Sequence, residues 1–372
     1  MIRLAVPDIR DDDIVRMVEV VRSGQLVQGK AVEEFEAALV AFSGIPYCAT
    51  VSSGTAALHL ALLALGIGPG DKVLVPAFTY PATANVVELV GATVVLCDVD
   101  PRSYVVTPET VEKVLSSPGG RDIKAIMLVH EFGFPVEVKR IAELAASRGI
   151  RVIEDAACAL GTIADGFHPG YYSDMACFSF HPRKAITTGE GGAMMSRNVD
   201  LITLSKRLRN HGTQPVNGRM DFTEAGLNYR LTNFQAALGI NQISRFGQEL
   251  ALRKEMVGTY CALLQGNESI ILPQISGGHS WQSFMVVLAD GTREPVKRLM
   301  IERGVEVNLG AHALNCLSYF QGEYHVDATS CPVSTKLYND GLVLPLHGRM
   351  TPGDQKQVSL ALEQAVLEAT HL

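Results

Sequence analysis

Between residues 47 and 196 the chain alternates short, almost unbroken apolar runs with segments of helical period. Tyr47–Val51 and residues 73–76, 93–98, 125–129, 151–154, 176–178 and 192–195 read as strands. Runs that are apolar at nearly every position, rather than at every second one, belong to strands covered on both faces. The intervening segments carry helix punctuation. Thr107 followed by Pro108 and Glu109 is an N-cap with proline at the first helical position, and Gly66 stands where the helix begun near Thr55 must stop. An α/β domain with a mostly parallel, mainly seven-stranded sheet follows.

After residue 231 the pattern changes to one long helical stretch, 233–264, suited to crossing the molecule as a connector. Beyond it lie a strand at 283–288, a helix at 294–303, a strand at 305–308 and a final helix opened by Thr351 and Pro352. These make a smaller α+β unit. The expected division is a large domain over residues 1–245, N-terminal segment included, and a small domain over 246–372. Ser276-Gly277-Gly278 and residues 212–226 have the turn-rich composition of exposed loops.

Composition narrows the setting. A chain of 372 residues is long enough for two or three domains and a sizeable core. With 47% hydrophobic and 19% charged residues it has the balance of a compact protein, not a disordered one. Its 32 Lys+Arg against 39 Asp+Glu give a net charge of -7, so there is no basic field for nucleic acid. The longest apolar stretch, residues 56–67, is broken by His59 and Gly66 and is too short to span a bilayer. The chain start, with Asp8, Arg10 and Asp11 to Asp13, lacks the apolar core of a secretory signal, and the cytoplasm is expected. Seven scattered cysteines suit reduced, buried thiols, with neither a disulfide framework nor a zinc cage.

Three features could carry chemistry. Ser52-Ser53-Gly54-Thr55 leaves a strand and enters a helix, so its amides and hydroxyls sit at the positive end of that helix, where phosphate binds. Taken alone, that segment is better read as an N-cap with nothing bound. Asp155, in Glu154-Asp155-Ala156-Ala157, falls at the carboxyl end of a strand, where open α/β sheets place ligands. Alone, it is as well read as a cap or an arginine partner. Lys184, in Ser179-Phe180-His181-Pro182-Arg183-Lys184, is confined between proline and the turn Gly189-Glu190-Gly191-Gly192, whereas most lysines are solvated surface charges. An anion seat, an anion at a strand end and a constrained amine are together the parts that fix pyridoxal phosphate.

The chain resembles the DegT-type sugar aminotransferase family of the aspartate aminotransferase superfamily, from about Ser23-Gly24 to the final helix. Motifs agree in order and spacing: Ser53-Gly54-Thr55-Ala56-Ala57-Leu58, Pro76-Ala77-Phe78-Thr79-Tyr80, Glu154-Asp155-Ala156-Ala157, Ser179-Phe180-His181 with Lys184, Gly189-Glu190-Gly191-Gly192, Arg209-Asn210-His211-Gly212, and Gly226-Leu227-Asn228-Tyr229-Arg230. The resemblance implies the fold type I architecture and pyridoxal 5'-phosphate as cofactor. It implies that Lys184 carries the cofactor as a Schiff base and moves the substrate proton, and that Asp155 keeps the ring nitrogen protonated. Gly54, Thr55 and Ser179 would bind the phosphate. Tyr80 would stack on one ring face and Ala157 touch the other, with Phe78 competing for the place of Tyr80. Asn228, with Arg230 close by, would reach the phosphate of a neighbouring subunit, which makes a homodimer with shared active sites.

One position departs from the pattern. The family usually has Gln or His after the second alanine of the aspartate motif, in contact with the cofactor or its acid–base machinery; this chain has Cys158, a smaller and weaker hydrogen-bond partner. A buried small residue is the plain alternative. His181 is either a phosphate or substrate contact or a structural residue beside Pro182. His312, Ser318 and Tyr319 fall where relatives bring residues toward the sugar. His130-Glu131 looks like a metal pair, but no second histidine stands at helical spacing, so no metal site is expected. Gly66-Ile67-Gly68-Pro69-Gly70 follows a helix instead of preceding one and is a turn, not a dinucleotide loop.

The expected function is transfer of an amino group from an amino acid, by family analogy L-glutamate, to the keto carbon of a nucleotide-linked sugar. The alternatives are a cyclitol ketone as acceptor, or a related sugar dehydratase, in which a histidine typically stands in place of Lys184. A non-catalytic protein on the same fold fits poorly with intact Lys184, Asp155 and phosphate motif, and a nicotinamide oxidoreductase lacks a correctly placed glycine fingerprint.

Overall fold

A computed structural model describes residues 1–289 and 291–369. Seven strands form the central sheet in the spatial order Tyr47–Val51, Gly192–Ser196, Met175–Ser179, Arg151–Asp155, Ile123–Val129, Lys72–Pro76 and Thr93–Cys97. Every pairing is parallel except those of Gly192–Ser196, which runs antiparallel to both neighbours. The predicted strands are all present, each within two residues of its expected ends. Their apolar residues are buried on both faces, under helices such as Gly54–Ala64 on one side and Val138–Ala146 on the other. The helix stops behave as read: Gly66 takes φ 71, and Thr107 caps Pro108–Leu115 by accepting the Thr110 amide at 3.3 Å.

A second sheet of four strands, Ile270–Ile271, Phe284–Leu288, Gly341–Leu344 and Asn308–Leu309, is covered by Arg293–Glu302 and Pro352–Ala369. The strand expected at 305–308 is displaced to Asn308–Leu309; Val305 instead makes an isolated parallel bridge to Ile2. The long helix Asn233–Leu264 matches its predicted span. Its first half packs Ala236, Ala237, Ile243 and Phe246 against the large sheet, and its second half packs Met256, Val257, Tyr260 and Leu264 against the small one. Two arginines fasten it, Arg253 buried and Arg245 partly so. Arg245 pairs with the fully buried Asp13 of the N-terminal helix Asp11–Ser23, and Arg253 donates to the carbonyls of Trp281 at 3.1 Å and Gln282 at 3.2 Å.

Part of the segment expected as a loop over 212–226 is a β-hairpin, Thr213–Val216 with Arg219–Phe222. Its two-residue turn is Asn217-Gly218 with φ 51 and 76, the left-handed pair that a tight hairpin requires. The strands lack a buried face, and Met220 and Phe222 stand exposed, so no apolar alternation announced them.

Candidate active site

Strand order brings the chemistry-bearing residues to one edge of the large sheet. Ser179 lies in register with Gly192, which also pairs with Val51; Asp155 lies opposite Cys177 and Val129. The segments following Val51, Val129, Asp155 and Ser179 therefore emerge side by side at the carboxyl ends of their strands, where open sheets form ligand crevices.

At one end of this row the helix Gly54–Ala64 begins. The Ser53 hydroxyl accepts the Ala56 amide at 3.1 Å, and the Ser53 carbonyl accepts the Ala57 amide at 3.1 Å. The Gly54 and Thr55 amides precede the first intrahelical bond and point outward, and the Thr55 side chain is exposed. Gly54 is fitted to the strand beside it: a Cβ there would stand 2.8 Å from Ser179 Cβ. Only a residue without a side chain lets the helix start approach the Ser179 hydroxyl, which itself lies 3.5 Å from the His181 amide.

Asp155 is buried, with both carboxylate oxygens engaged. Oδ2 accepts the Thr83 hydroxyl at 2.8 Å and Oδ1 the Ala157 amide at 3.1 Å. Burial pushes its carboxyl above the usual range, while the Thr83 and Ala157 bonds and the nearby Lys184 pull it back. The carboxylate is thus fixed in direction and responsive to an added positive charge.

Lys184 is held as its flanking residues predict. Its amide donates to the His181 carbonyl at 2.8 Å, and the loop behind it is clamped by Gln242, which exchanges hydrogen bonds with Thr187 at 3.0 and 2.8 Å. The side chain crosses toward Asp155, and Nζ donates to Cys158 Sγ at 3.0 Å. Burial pulls this ammonium down, but Cys158, Glu131 and Asp155 outweigh it and leave it above the ordinary lysine value. Burial also pushes the Cys158 thiol up. Cys158 is therefore no idle small residue: its sulfur is the hydrogen-bond partner of Lys184.

The aromatic alternatives separate. Phe78 is fully buried against Phe132, whereas Tyr80 is 63% exposed beside the row. His312 reaches this neighbourhood because His312–Ala313 pairs antiparallel with Phe78–Thr79, and its ring meets Tyr80 edge-on at 6.1 Å. Its buried Nδ1 has no hydrogen-bond partner. Tyr319 lies elsewhere, against Glu88 at the far end of the helix Ala82–Leu89. His181 is half-exposed, and its Nδ1 accepts the Arg183 amide at 3.2 Å, a local structural bond. Asn228 is exposed on this chain, and Arg230 donates to Asn210 Oδ1 at 2.5 Å, next to Val51, with which it forms an isolated bridge.

His130 and Glu131 part company. His130 Nε2 lies 2.7 Å from Glu154 Oε2, a buried pair whose other carboxylate oxygen accepts the Gly170 amide at 2.7 Å. Glu131 is also buried, and the charges acting on its carboxyl are those of Lys184 and Asp155. Its place, two residues beyond the strand adjacent to that of Asp155, is the sequence signal that brings it to this end of the sheet.

The outward amides and the cradle at Gly54, the oriented Asp155 and the constrained Lys184 fit pyridoxal phosphate at its phosphate, ring nitrogen and aldehyde. The sequence profile of the DegT/DnrJ/EryC1/StrS aminotransferase family matches residues 7–363. The chain belongs to that family. It is a pyridoxal-phosphate-dependent sugar aminotransferase with the fold type I architecture. A GDP-perosamine synthase of Caulobacter vibrioides is 37% identical over 346 residues, 91% of each chain. Among solved structures, the aminotransferase TlmJ from Streptoalloteichus hindustanus superposes with a TM-score of 0.92 at 27% identity, over the whole of both chains. DesV of S. venezuelae, in complex with a ketimine intermediate, superposes with a TM-score of 0.88 at 29% identity over 95% of this chain and 94% of its own.

Proposed function

We propose that this enzyme moves an amino group from L-glutamate to the keto carbon of a nucleotide-linked sugar. The observation that carries the residue roles is the convergence of Lys184 Nζ, the Asp155 carboxylate and the outward amides of Gly54 and Thr55 at one sheet edge. The acceptor class is supported by the similarity to the Caulobacter protein named as a GDP-perosamine synthase.

Bound here, pyridoxal phosphate supplies an aldehyde and an electron-withdrawing ring. Lys184 is the amine that bears it and, when released, takes and returns the proton at the substrate α-carbon. Asp155 would face the ring nitrogen and hold its proton there. Gly54, Thr55 and the Ser179 hydroxyl would seat the phosphate. Tyr80 would cover one ring face and Ala157 the other. His312, carried in beside Tyr80, is the small-domain residue best placed toward the acceptor, with His181 and Tyr319 as further candidates for substrate contact. We read Asn228 and Arg230 as completing the site of a second copy in a homodimer, consistent with the exposure of Asn228.

We further divide the chain near residue 245, because the two halves of the helix Asn233–Leu264 join different cores. Work in the cytoplasm is supported by seven unpaired cysteines. Among the described residues no helix is long and apolar enough to cross a membrane.

The test is direct. Purified protein should be yellow, its visible band should shift on adding glutamate, and borohydride should leave a pyridoxyl tag on Lys184. Offered ketones after glutamate treatment, it should aminate a nucleotide-linked ketosugar and not a cyclitol ketone. A Lys184→Ala variant that still completed transamination would count decisively against the assignment.

A further inference from the structure

The turn following the strand Ile123–Val129 holds a carboxylate that the roles above leave unused. Glu131 is 6% exposed, in the short turn Glu131–Gly133. The turn begins beside Asp155, since the His130 amide donates to the Asp155 carbonyl at 3.1 Å. Its far end is fastened to the segment bearing Cys158. The Thr162 hydroxyl donates to the Gly133 carbonyl at 2.8 Å, and the Ser280 hydroxyl donates to the Cys158 carbonyl at 3.4 Å. Gly133, at φ 91, is packed so closely that a Cβ would stand 2.9 Å from that same carbonyl. Phe132 takes φ 55, a left-handed conformation that bulky side chains avoid. Strain of this kind persists only where the surroundings over-determine it, and here it belongs to the turn that carries the buried Glu131.

The titratable groups facing Glu131 are Lys184 from the loop after Met175–Ser179, and Asp155 and Cys158 from the end of Arg151–Asp155. Behind the turn, His279 bonds the Gly133 backbone. Asp155 is of like charge to Glu131, which leaves Lys184 as the cation that answers it, while Asp155 itself is already engaged by Thr83 and Ala157. A thiol is a weak acceptor for an ammonium, and Cys158 by itself holds Lys184 loosely. A second anion across the site remedies this.

We propose that Glu131 is the counter-charge of Lys184 and a positioning residue for transamination, drawing the free amine back onto the Cys158 thiol each time it is released. Its purpose rests on the assignment of Lys184 as the cofactor-bearing amine; the pair itself does not.

Competitive acetylation of the cofactor-free full-length chain, followed at Lys184 by peptide mass across pH, measures the pair without turnover. Burial, with Lys184 opposing and Asp155 reinforcing it, pushes the Glu131 carboxyl up to about 7. Removing its charge in Glu131→Gln should lower the Lys184 midpoint by about one pH unit, labelling the amine about tenfold faster at a fixed pH below it. Glu131→Asp, which keeps the charge one methylene back, should shift it less than half as far. In the loaded enzyme the visible band of the lysine linkage should titrate lower in Glu131→Gln. A Glu131→Gln midpoint equal to wild type, or a Glu131→Asp shift as large as that of Glu131→Gln, overturns the proposal. If Glu131→Gln fails to fold, the wild-type profile decides: a break near neutrality, where Glu131 ionises, supports the pair, and a single step overturns it. A chain that shows the pair but takes no pyridoxyl tag at Lys184 would sink the functional reading alone.

Discussion

Lys184 Nζ donates its hydrogen bond to Cys158 Sγ at 3.0 Å. Burial pushes that thiol up against the opposing pull of Lys184, which favours the neutral, polarisable form as the acceptor. The lysine is aimed without being locked into a strong ion pair, which suits an amine that must alternately bind and release.

Replacing Cys158 tests how much that aim is worth. Cys158→Ser keeps an acceptor and should leave kcat within about twofold, whereas Cys158→Ala should lower it by about fivefold, the equivalent of about 1 kcal/mol for a lost neutral hydrogen bond. Steady-state rates with saturating donor check this; equal rates for both variants would deny the bond a role.

Asp155→Asn preserves shape and the Thr83 contact but removes the charge. The variant should still take the pyridoxyl tag at Lys184, yet lose at least about a hundredfold in kcat/KM. Retention of activity with an uncharged side chain would show that the ring nitrogen's proton is held from elsewhere.

Gly54 is a site where one carbon matters. The 2.8 Å approach to Ser179 Cβ leaves no room for a methyl group, so Gly54→Ala should cost about 1–3 kcal/mol through forced backbone movement. Urea unfolding measures that cost. Weaker retention of pyridoxal phosphate should accompany it, because the same shift pulls the amides from the hydroxyl of Ser179.

His279 predicts an acid limb. Buried and stacked on Trp281 at 3.6 Å, its imidazole is pulled down to about 3, opposed only by its bond to Gly133. The unfolded chain protonates this ring near its ordinary value of about 6.5 and the folded chain does not, so stability falls as pH drops below that value. Between about pH 7.5 and about pH 5 the contribution lost is about 2 kcal/mol. His279→Phe should be less stable at neutral pH by about 1 kcal/mol, having lost the acceptor for the Trp281 amide, but should show a shallower acid decline. Urea midpoints at the two pH values decide it; an unchanged slope would remove His279 as the cause.

The strands were legible because a sheet covered on both faces writes itself as unbroken apolar runs, and the connector helix because its length and caps are local. Lys184, Asp155 and Gly54 were legible because sheet order converts "after a strand" into "at the same edge". The hairpin around Asn217-Gly218 was not, since its sides carry no buried alternation and only the turn signals it. Glu131 carried no signal of its own for another reason: it stands beside His130 in sequence, and the left-handed residue Phe132 that follows it is set by no local rule. The place of Tyr319, against Glu88, was not legible because small-domain segments are placed by pairing with distant strands.

The chain contains a single tryptophan, Trp281. Because it stacks on His279 and lies behind Gly133, its emission is a one-site optical gauge of the wall that supports Glu131. Protonating the imidazole should quench it, and so should a nearby chromophore, so fluorescence alone can time both acid loosening and cofactor arrival without any introduced dye.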